Sequence, residues 1–356
     1  MRLLKSSFMM GVLLVSTASW AESWVDRTRL DGFFSARYSI TNEKALWQGG
    51  LDESGINEDG SFYGTKLGLG ISSRVSDRLT VATQLFAPIQ ENSYDLHVDW
   101  AFATFTLTDQ LDLRAGKIKY PVGIVNEYVE VGVTYPWIQA PVVIYSESMA
   151  SAQATRESYT GASLLWTRNV DDWSWSVDLF GGQVDLENMT IKEMVGVTGR
   201  ANWDDTVIFQ LSAYQGDMKT DLNNMMMAPM NNARHASIVG GVKIDWNDWI
   251  VYAERAQVQM DFKDMMGVSA GDSDSWYATL GHRFGKWLPH LTYQDWDRDN
   301  GNGHQISTLG LNYDISSKVV VKGEVSKIDT DGDGLFDSTP SDDSTRMFSV
   351  AVDMVF

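Results

Sequence analysis

The sequence predicts an all-β fold, a single transmembrane antiparallel β-barrel of about sixteen strands with a long third loop folded into its lumen. Three observations lead there. From Leu30 onward the chain reads as a series of alternating apolar and polar runs, each near the ~9–11 residues that a tilted membrane strand needs. The links between the runs alternate between short turns and long loops. The last run, Arg346–Phe356, keeps its alternation to the final residue, with Phe348, Val350, Val352, Met354 and Phe356 on one face. A soluble sheet rarely ends on an uncovered apolar strand, because an open edge pairs with other chains. A barrel whose last strand pairs with its first has no such edge. Taken alone, this run could also be the edge strand of a sandwich, but a sandwich would mix its loop lengths.

Taken in order, the chain opens with Arg2 and Lys5, an apolar stretch Phe8–Val15, and Ser19-Trp20-Ala21 at a plausible cleavage point. Residues 1–21 are therefore expected to be a secretory signal peptide, and 22–356 one barrel domain. The apolar stretch is shorter than the ~20 residues of a membrane helix. The expected strands begin with Leu30–Ile40, Phe62–Arg74, Arg78–Ala87, Tyr94–Leu107 and Leu111–Tyr120. Tyr159–Arg168, Trp173–Gly182, Glu193–Trp203 and Thr206–Gln215 follow. The remainder are Arg234–Trp246, Trp249–Gln259, Ser275–Phe284, Trp287–Asp295, His304–Ile315, Lys318–Ile328 and Arg346–Phe356. Short links such as Val75-Ser76-Asp77, Asp204-Asp205, Asn247-Asp248, Gly285-Lys286 and Ser316-Ser317 carry the residues that tight turns require. Long loops are expected from Thr41, Pro88, Pro121, Gln183, Gly216, Met260, Trp296 and Asp329. With both termini on the turn side, this is the pattern of an even-stranded barrel.

Composition fits. The chain has 28 Lys and Arg against 47 Asp and Glu, a formal charge of −19, and cleavage after Ala21 would take this to −21 by removing Arg2 and Lys5. So acidic a protein is a poor nucleic-acid partner. There are no cysteines, so an exported chain of this kind must rely on its hydrogen-bonded framework rather than on disulfides. Of 14 tryptophans, Trp173, Trp175, Trp203, Trp246, Trp249 and Trp287 crowd the short turns, several in phase with the apolar face. An interfacial aromatic belt belongs there, because indole pairs an apolar body with a polar N–H. The opposite phase places Arg37, Lys66, His97, Asp99, Arg114, Asp178, Arg200, Lys243, Arg283, Lys322 and Asp353 toward the lumen. So many charges would be prohibitive in a dry core and are tolerable in a wet one. The Leu111 and Trp249 runs change phase partway, which leaves Lys117, Lys119 and Arg255 unassigned.

The terminal strand resembles the C-terminal assembly signal of bacterial outer-membrane barrels, where a final Phe is typical. The stretch from Pro121 to Ser158 is too apolar for a solvated loop, with Val122, Ile124, Val125, Tyr135-Pro136-Trp137 and Pro141–Tyr145. It needs a wall to pack on. Here the chain resembles the Gram-negative outer-membrane porins, whose third loop forms the constriction. Leu113-Arg114-Ala115-Gly116-Lys117-Ile118-Lys119-Tyr120-Pro121-Val122-Gly123 is similar to a segment of the phosphate-selective porin family. The resemblance implies a passive channel, without enzymatic activity, in the cell outer membrane. It also implies homotrimers, with lipid and lipopolysaccharide outside and small hydrophilic solutes or ions inside. The family's anion preference depends on a basic lumen, and this lumen reads as mixed. Glu127 and Glu130 on the loop, facing Arg114 and Lys117 or Lys119 on the wall, would set a transverse field across the constriction; the same charges could instead pair with each other and hold the loop.

Asp329, Asp331, Asp333 and Asp337 in the last loop have the D-x-D-x-D-G spacing of a Ca²⁺ loop, but Pro340 stands where a bidentate Glu belongs. A solvated acidic loop or a weak structural Ca²⁺ site are the alternatives; no other cofactor is implied. A barrel enzyme (protease or lipase) would need a compact acid/base or Ser–His constellation, which the sequence does not display, and a plugged structural or adhesive barrel is the remaining alternative.

Overall fold

The computed structural model describes residues 27–49, 55–90, 93–94, 96–145, 158–186, 189–220, 230–261, 271–342 and 344–356. The expected signal peptide lies outside them. The strands are β1 (Thr28–Thr41), β2 (Lys66–Ser76), β3 (Leu79–Gln90), β4 (Ser93–Tyr94), β5 (His97–Thr108) and β6 (Leu111–Lys119), then β7 (Ser158–Val170), β8 (Trp173–Leu186) and β9 (Met189–Trp203). They continue with β10 (Val207–Thr220), β11 (Arg234–Trp246), β12 (Trp249–Met260), β13 (Ser273–His282) and β14 (Trp287–Arg298), and end with β15 (Gly303–Ser316), β16 (Val319–Asp331) and β17 (Ser344–Val355). The two-residue β4 pairs only with β3, which continues directly to β5, so sixteen strands form the wall. Each pairs antiparallel with its chain neighbours, and β1 pairs with both β2 and β17. The ring is closed.

Closure extends to the last residue. Gly32 and Phe356 exchange both backbone hydrogen bonds, at 3.0 and 2.9 Å. A side chain on Gly32 would collide with the Phe356 ring, 2.6 Å from where its Cβ would lie. The terminal Phe thus lies over a glycine of the first strand. A ring has no open edge, and the terminal strand's alternation needs no other cover.

The outer phase is apolar from one end of the ring to the other. Leu179, Val195, Leu211, Ile238, Leu280, Leu291, Leu309, Phe348 and Val350 are all exposed, a belt that a soluble protein would not present. At its turn end Trp175, Trp203, Trp246, Trp249 and Trp287 are 42–61% exposed. Trp173 stacks between Trp175 and Trp203. The indoles form the expected girdle. The turns behind them hold Asp171, Asp204, Asp205, Asn247 and Asp248 at positive φ, as tight hairpins demand of short polar side chains.

Two expectations about the connections need correction. β2 begins at Lys66 rather than Phe62, because Gly60 and Gly64 adopt positive φ and turn the preceding stretch back toward Ser39, which pairs with Ser61. The connections after Gln183 and Trp296 are short, not long. β8 and β9 rise to Leu186 and Met189, and β14 and β15 to Arg298 and Gly303, so the strands themselves take up the length assigned to loops.

Candidate functional site

The outer connections are numbered L1 to L8 in chain order. L3, leaving β6 at Tyr120, runs inside the barrel, and the described part ends with a one-turn helix α1 (Val142–Tyr145). Val122, Ile124, Val125, Trp137, Val143 and Ile144 are almost wholly buried. Their apolar surface packs on lumen-facing Tyr214, Val239, Tyr252, Ala256 and Tyr277, forming one hydrophobic cluster. Burial of this kind, at roughly 25 cal/mol per Å² of apolar surface, is what draws the loop inward.

Polar anchors then fix its course. At the entry, the Pro121 carbonyl accepts from Thr198 Oγ1 (2.6 Å) and Ser212 Oγ (3.2 Å), and Gln210 Nε2 donates to the Gly123 carbonyl at 2.9 Å. Glu254 on β12 accepts from the Ile124 amide (2.8 Å) and from the hydroxyls of Tyr277 (2.7 Å) and Tyr145. Burial raises the Tyr145 phenol pKa, keeping that hydroxyl a donor. Further along, Trp137 Nε1 donates to Thr279 and Thr292 at 2.9 Å each, Asn312 Nδ2 to the Pro136 carbonyl at 2.8 Å, and the Ile138 amide to Glu324 Oε1 at 2.8 Å.

The far end of the loop is held by charge. Lys322 on β16, 1% exposed, donates from Nζ to the carbonyls of Gly132 (2.6 Å), Tyr135 (2.9 Å) and Trp137 (2.7 Å) and lies 3.0 Å from Asp353. Gly132 permits this approach, since a Cβ there would meet the Asp353 carboxylate at 2.3 Å. Lys66 on β2 pairs with Glu130. Arg37 on β1 is buried beside Tyr135, Asp353 and Glu130. L3 therefore crosses from the β6 wall to β16, β17, β1 and β2.

The residues singled out from sequence separate accordingly. Glu130 faces Lys66, not the β6 wall. Lys119 lies 3.0 Å from Asp99, and both are buried. Lys117 shares the outward phase of Leu113 and Ala115, and its Nζ donates to the Val98 carbonyl at 2.7 Å. In step with Leu113 and Ala115, it lies on the opposite face of β6 from Arg114. Arg114 donates to Ser163 Oγ at 2.9 Å and pairs with Asp178. Glu127 is exposed. It borders an open cleft of about 170 Å³ with Arg114, Thr167, Ser176, Asp178 and Thr198.

Below the loop, toward the turns, Arg200 and Lys243 are half-buried on the lumen phase of β9 and β11, with Arg283, also half-buried, just past the end of β13. Arg283 makes a two-pronged bridge to Asp245 at 2.7 and 2.8 Å. Lys243 lies 5.5 Å over the Tyr252 ring, and neither it nor Arg200 forms an ion pair among the described residues. Above L3, His97 is exposed on the lumen phase. Sequence reasoning missed Glu254, Trp137 and Tyr128 as parts of the site. Tyr128, beside Glu127 on the loop, has its phenol pushed up to about 12 by burial, against the opposing pull of Arg200, so it stays neutral.

In the last loop three of the four aspartates, Asp329, Asp333 and Asp337, turn to separate partners, and Asp331 ends β16. Asp329 binds Lys327 (2.7 Å), Asp333 accepts from Thr339, and Asp337 accepts from the Leu46 amide (2.8 Å). Among the described residues no three carboxylate or imidazole groups converge on a metal position.

The closed barrel with an internal third loop is similar to several solved structures. OmpT of Vibrio cholerae, an outer membrane protein in a trimer form, aligns over 93% of this chain and 100% of its own at a TM-score of 0.60 and 12% identity. The anion-selective porin of Comamonas acidovorans aligns over 92% and 99% at 0.61 and 11%. OmpF of Salmonella typhi, in complex with daunomycin, aligns over 92% and 97% at 0.61 and 16%. No protein-family model and no curated protein sequence matches the chain.

Proposed function

We propose that the protein is a passive diffusion channel of the bacterial outer membrane, admitting small hydrophilic solutes and ions and filtering them at L3. One observation carries the reading. L3 is bonded along its length to the β9–β17 side of the lumen, while the β6–β9 side keeps polar, partly exposed groups around an open cleft. Width and local field at such a narrowing decide what passes.

Most lumen charges are neutralised in pairs: Lys66 with Glu130, Arg114 with Asp178, Lys119 with Asp99, Arg283 with Asp245 and Lys322 with Asp353. Glu127 is exposed on the loop, and Arg200 and Lys243 are half-buried on the lumen phase of the wall. These groups set the transverse field, in place of the lysines of the β6 segment. Arg200 and Lys243 set against Glu127 favour small anions mildly, the direction that the Leu113–Gly123 similarity to the phosphate-selective porins also suggests. Homotrimeric assembly, and contact of the apolar belt with lipid and lipopolysaccharide, belong to the same proposal. No covalent chemistry is assigned to the lumen.

The test is current through the purified protein in a planar lipid bilayer, under a salt gradient. Steady ohmic conductance with a reversal potential on the anion side is expected. Absence of current would remove the channel reading and favour a plugged barrel or a barrel enzyme.

A further inference from the structure

L1 does not stay at the rim. After β1 the chain turns inward, and Trp47, 2% exposed, packs edge-on against His304 (5.7 Å) and Phe336 of L8 (5.0 Å). His304 lies on the lumen phase of β15, so the indole sits inside the barrel. Trp47 also exchanges backbone hydrogen bonds with Ile56 (2.9 and 3.0 Å), closing a hairpin within L1. On its other side the hairpin pairs with L8. The Gln48 amide donates to the Leu335 carbonyl and the Asp337 amide to the Leu46 carbonyl, both at 3.0 Å. Glu43 accepts from the Ser341 amide (3.0 Å) and hydroxyl (2.6 Å). Two residues beyond Trp47, a Cβ on Gly49 would lie 3.3 Å from Gln139 of L3. L8, L1 and L3 thus form a continuous stack from the extracellular rim to the constriction.

We propose that L1 and L8 form a second, fixed constriction at the extracellular mouth, a strap bolted by Trp47 that sieves solutes by size before they reach L3. The inference rests on the channel reading. Trp47, Ile56 and Phe336, the apolar residues that lock the strap, are uncharged, so removing the indole takes away bulk and leaves the charge of the mouth, Glu43 included, as it was. An isolated two-stranded ribbon is marginal in water; here a third segment and a buried indole hold it. The strap narrows the β14–β17 side of the mouth, the side on which L3 is also anchored, so both narrowings leave the passage on the other.

The experiment measures conductance, and its block by polyethylene glycols of graded size, in the wild type and in Trp47→Ala. Loss of the bolt is expected to raise the conductance and shift the size cut-off upward, while the reversal potential stays put. Unchanged conductance and cut-off in a variant that conducts would overturn the inference alone, whereas a wild type without current would overturn the channel reading beneath it. A second variant guards against misfolding of the first. The chain has no cysteine, and Gln48 and Leu335 are direct cross-strand neighbours, a spacing of about 5.5 Å that a disulfide spans. Gln48→Cys with Leu335→Cys is expected to oxidise in the folded barrel and to leave conductance at the wild-type level. Failure to oxidise, or a lower conductance that reductant restores, would show that the strap is absent or moves during conduction, and either result refutes it as a fixed sieve.

Discussion

Lys322→Met isolates the charge that holds the far end of L3. The methionine keeps most of the length and apolar stem of the side chain and removes only the ammonium. Three loop carbonyls then lose their donor, and Asp353, 0% exposed, loses the cation at 3.0 Å. Removing one partner of a buried ion pair costs about 3–5 kcal/mol, chiefly because the other charge remains buried, and Arg37 beside Asp353 draws the effect toward the lower end of that range. At 1.4 kcal/mol per decade this shifts the balance between docked and undocked loop by roughly two to three and a half orders of magnitude. The barrel itself should survive, since its ladders close around the ring without this residue. Single-channel recording should therefore show a larger, noisier conductance in a barrel that still migrates as folded on unheated gels. Adding Asp353→Asn should recover part of the loss, because Asp353 then carries no charge short of its lysine, while Glu130 stays beside Arg37. A Lys322→Met channel with wild-type conductance and noise would refute the claim that this pair pins the loop.

Glu127→Gln should move the reversal potential further toward anions and Arg200→Gln toward cations, both read in a salt gradient. Trp137→Phe keeps an aromatic ring but gives up the N–H shared by Thr279 and Thr292 and part of a buried indole; it should cost about 1 kcal/mol of loop docking for the hydrogen bond and more for the space left, visible as added open-channel noise without lost barrel stability. Glu43 lies past the end of β1, and its pKa is held below the usual Glu value, first by the Ser341 hydroxyl and then, against burial, by backbone amides. A depressed pKa contributes stability above the unfolded value that is lost as pH falls through the folded one. Protease sensitivity of L1 should therefore rise below about pH 4, and Glu43→Gln should abolish that pH dependence. Added Ca²⁺ should leave thermal stability unchanged, because Asp329, Asp333 and Asp337 are committed to separate partners.

Much of this architecture is readable from residue order because a strand's side chains alternate with a period that needs no knowledge of the neighbours. Phe348, Val350 and Phe356 on the outside with Asp353 on the inside follow from that period alone, and so do the girdle indoles beside Asp204-Asp205 and Asn247-Asp248. The inward course of L3 was legible too, from an apolar content that no solvated loop carries. What local pattern could not supply was partnership. Lys66, on β2, meets Glu130 because the loop has crossed the lumen to reach it, and Lys119 meets Asp99 where the register of β5 against β3 shifts. Lys117 went the other way from the same strand.

Residue order determined a ring of alternating strands, its lipid face, its turn end and its closing strand, because each depends on sequence neighbours and on the solvent that a face must meet. Only the tertiary structure decided which lumen charges are free and that L1 lies inside. Those outcomes depend on how a closed wall curves distant strands such as β1, β2, β16 and β17 around one loop, and no period in the chain encodes that distance.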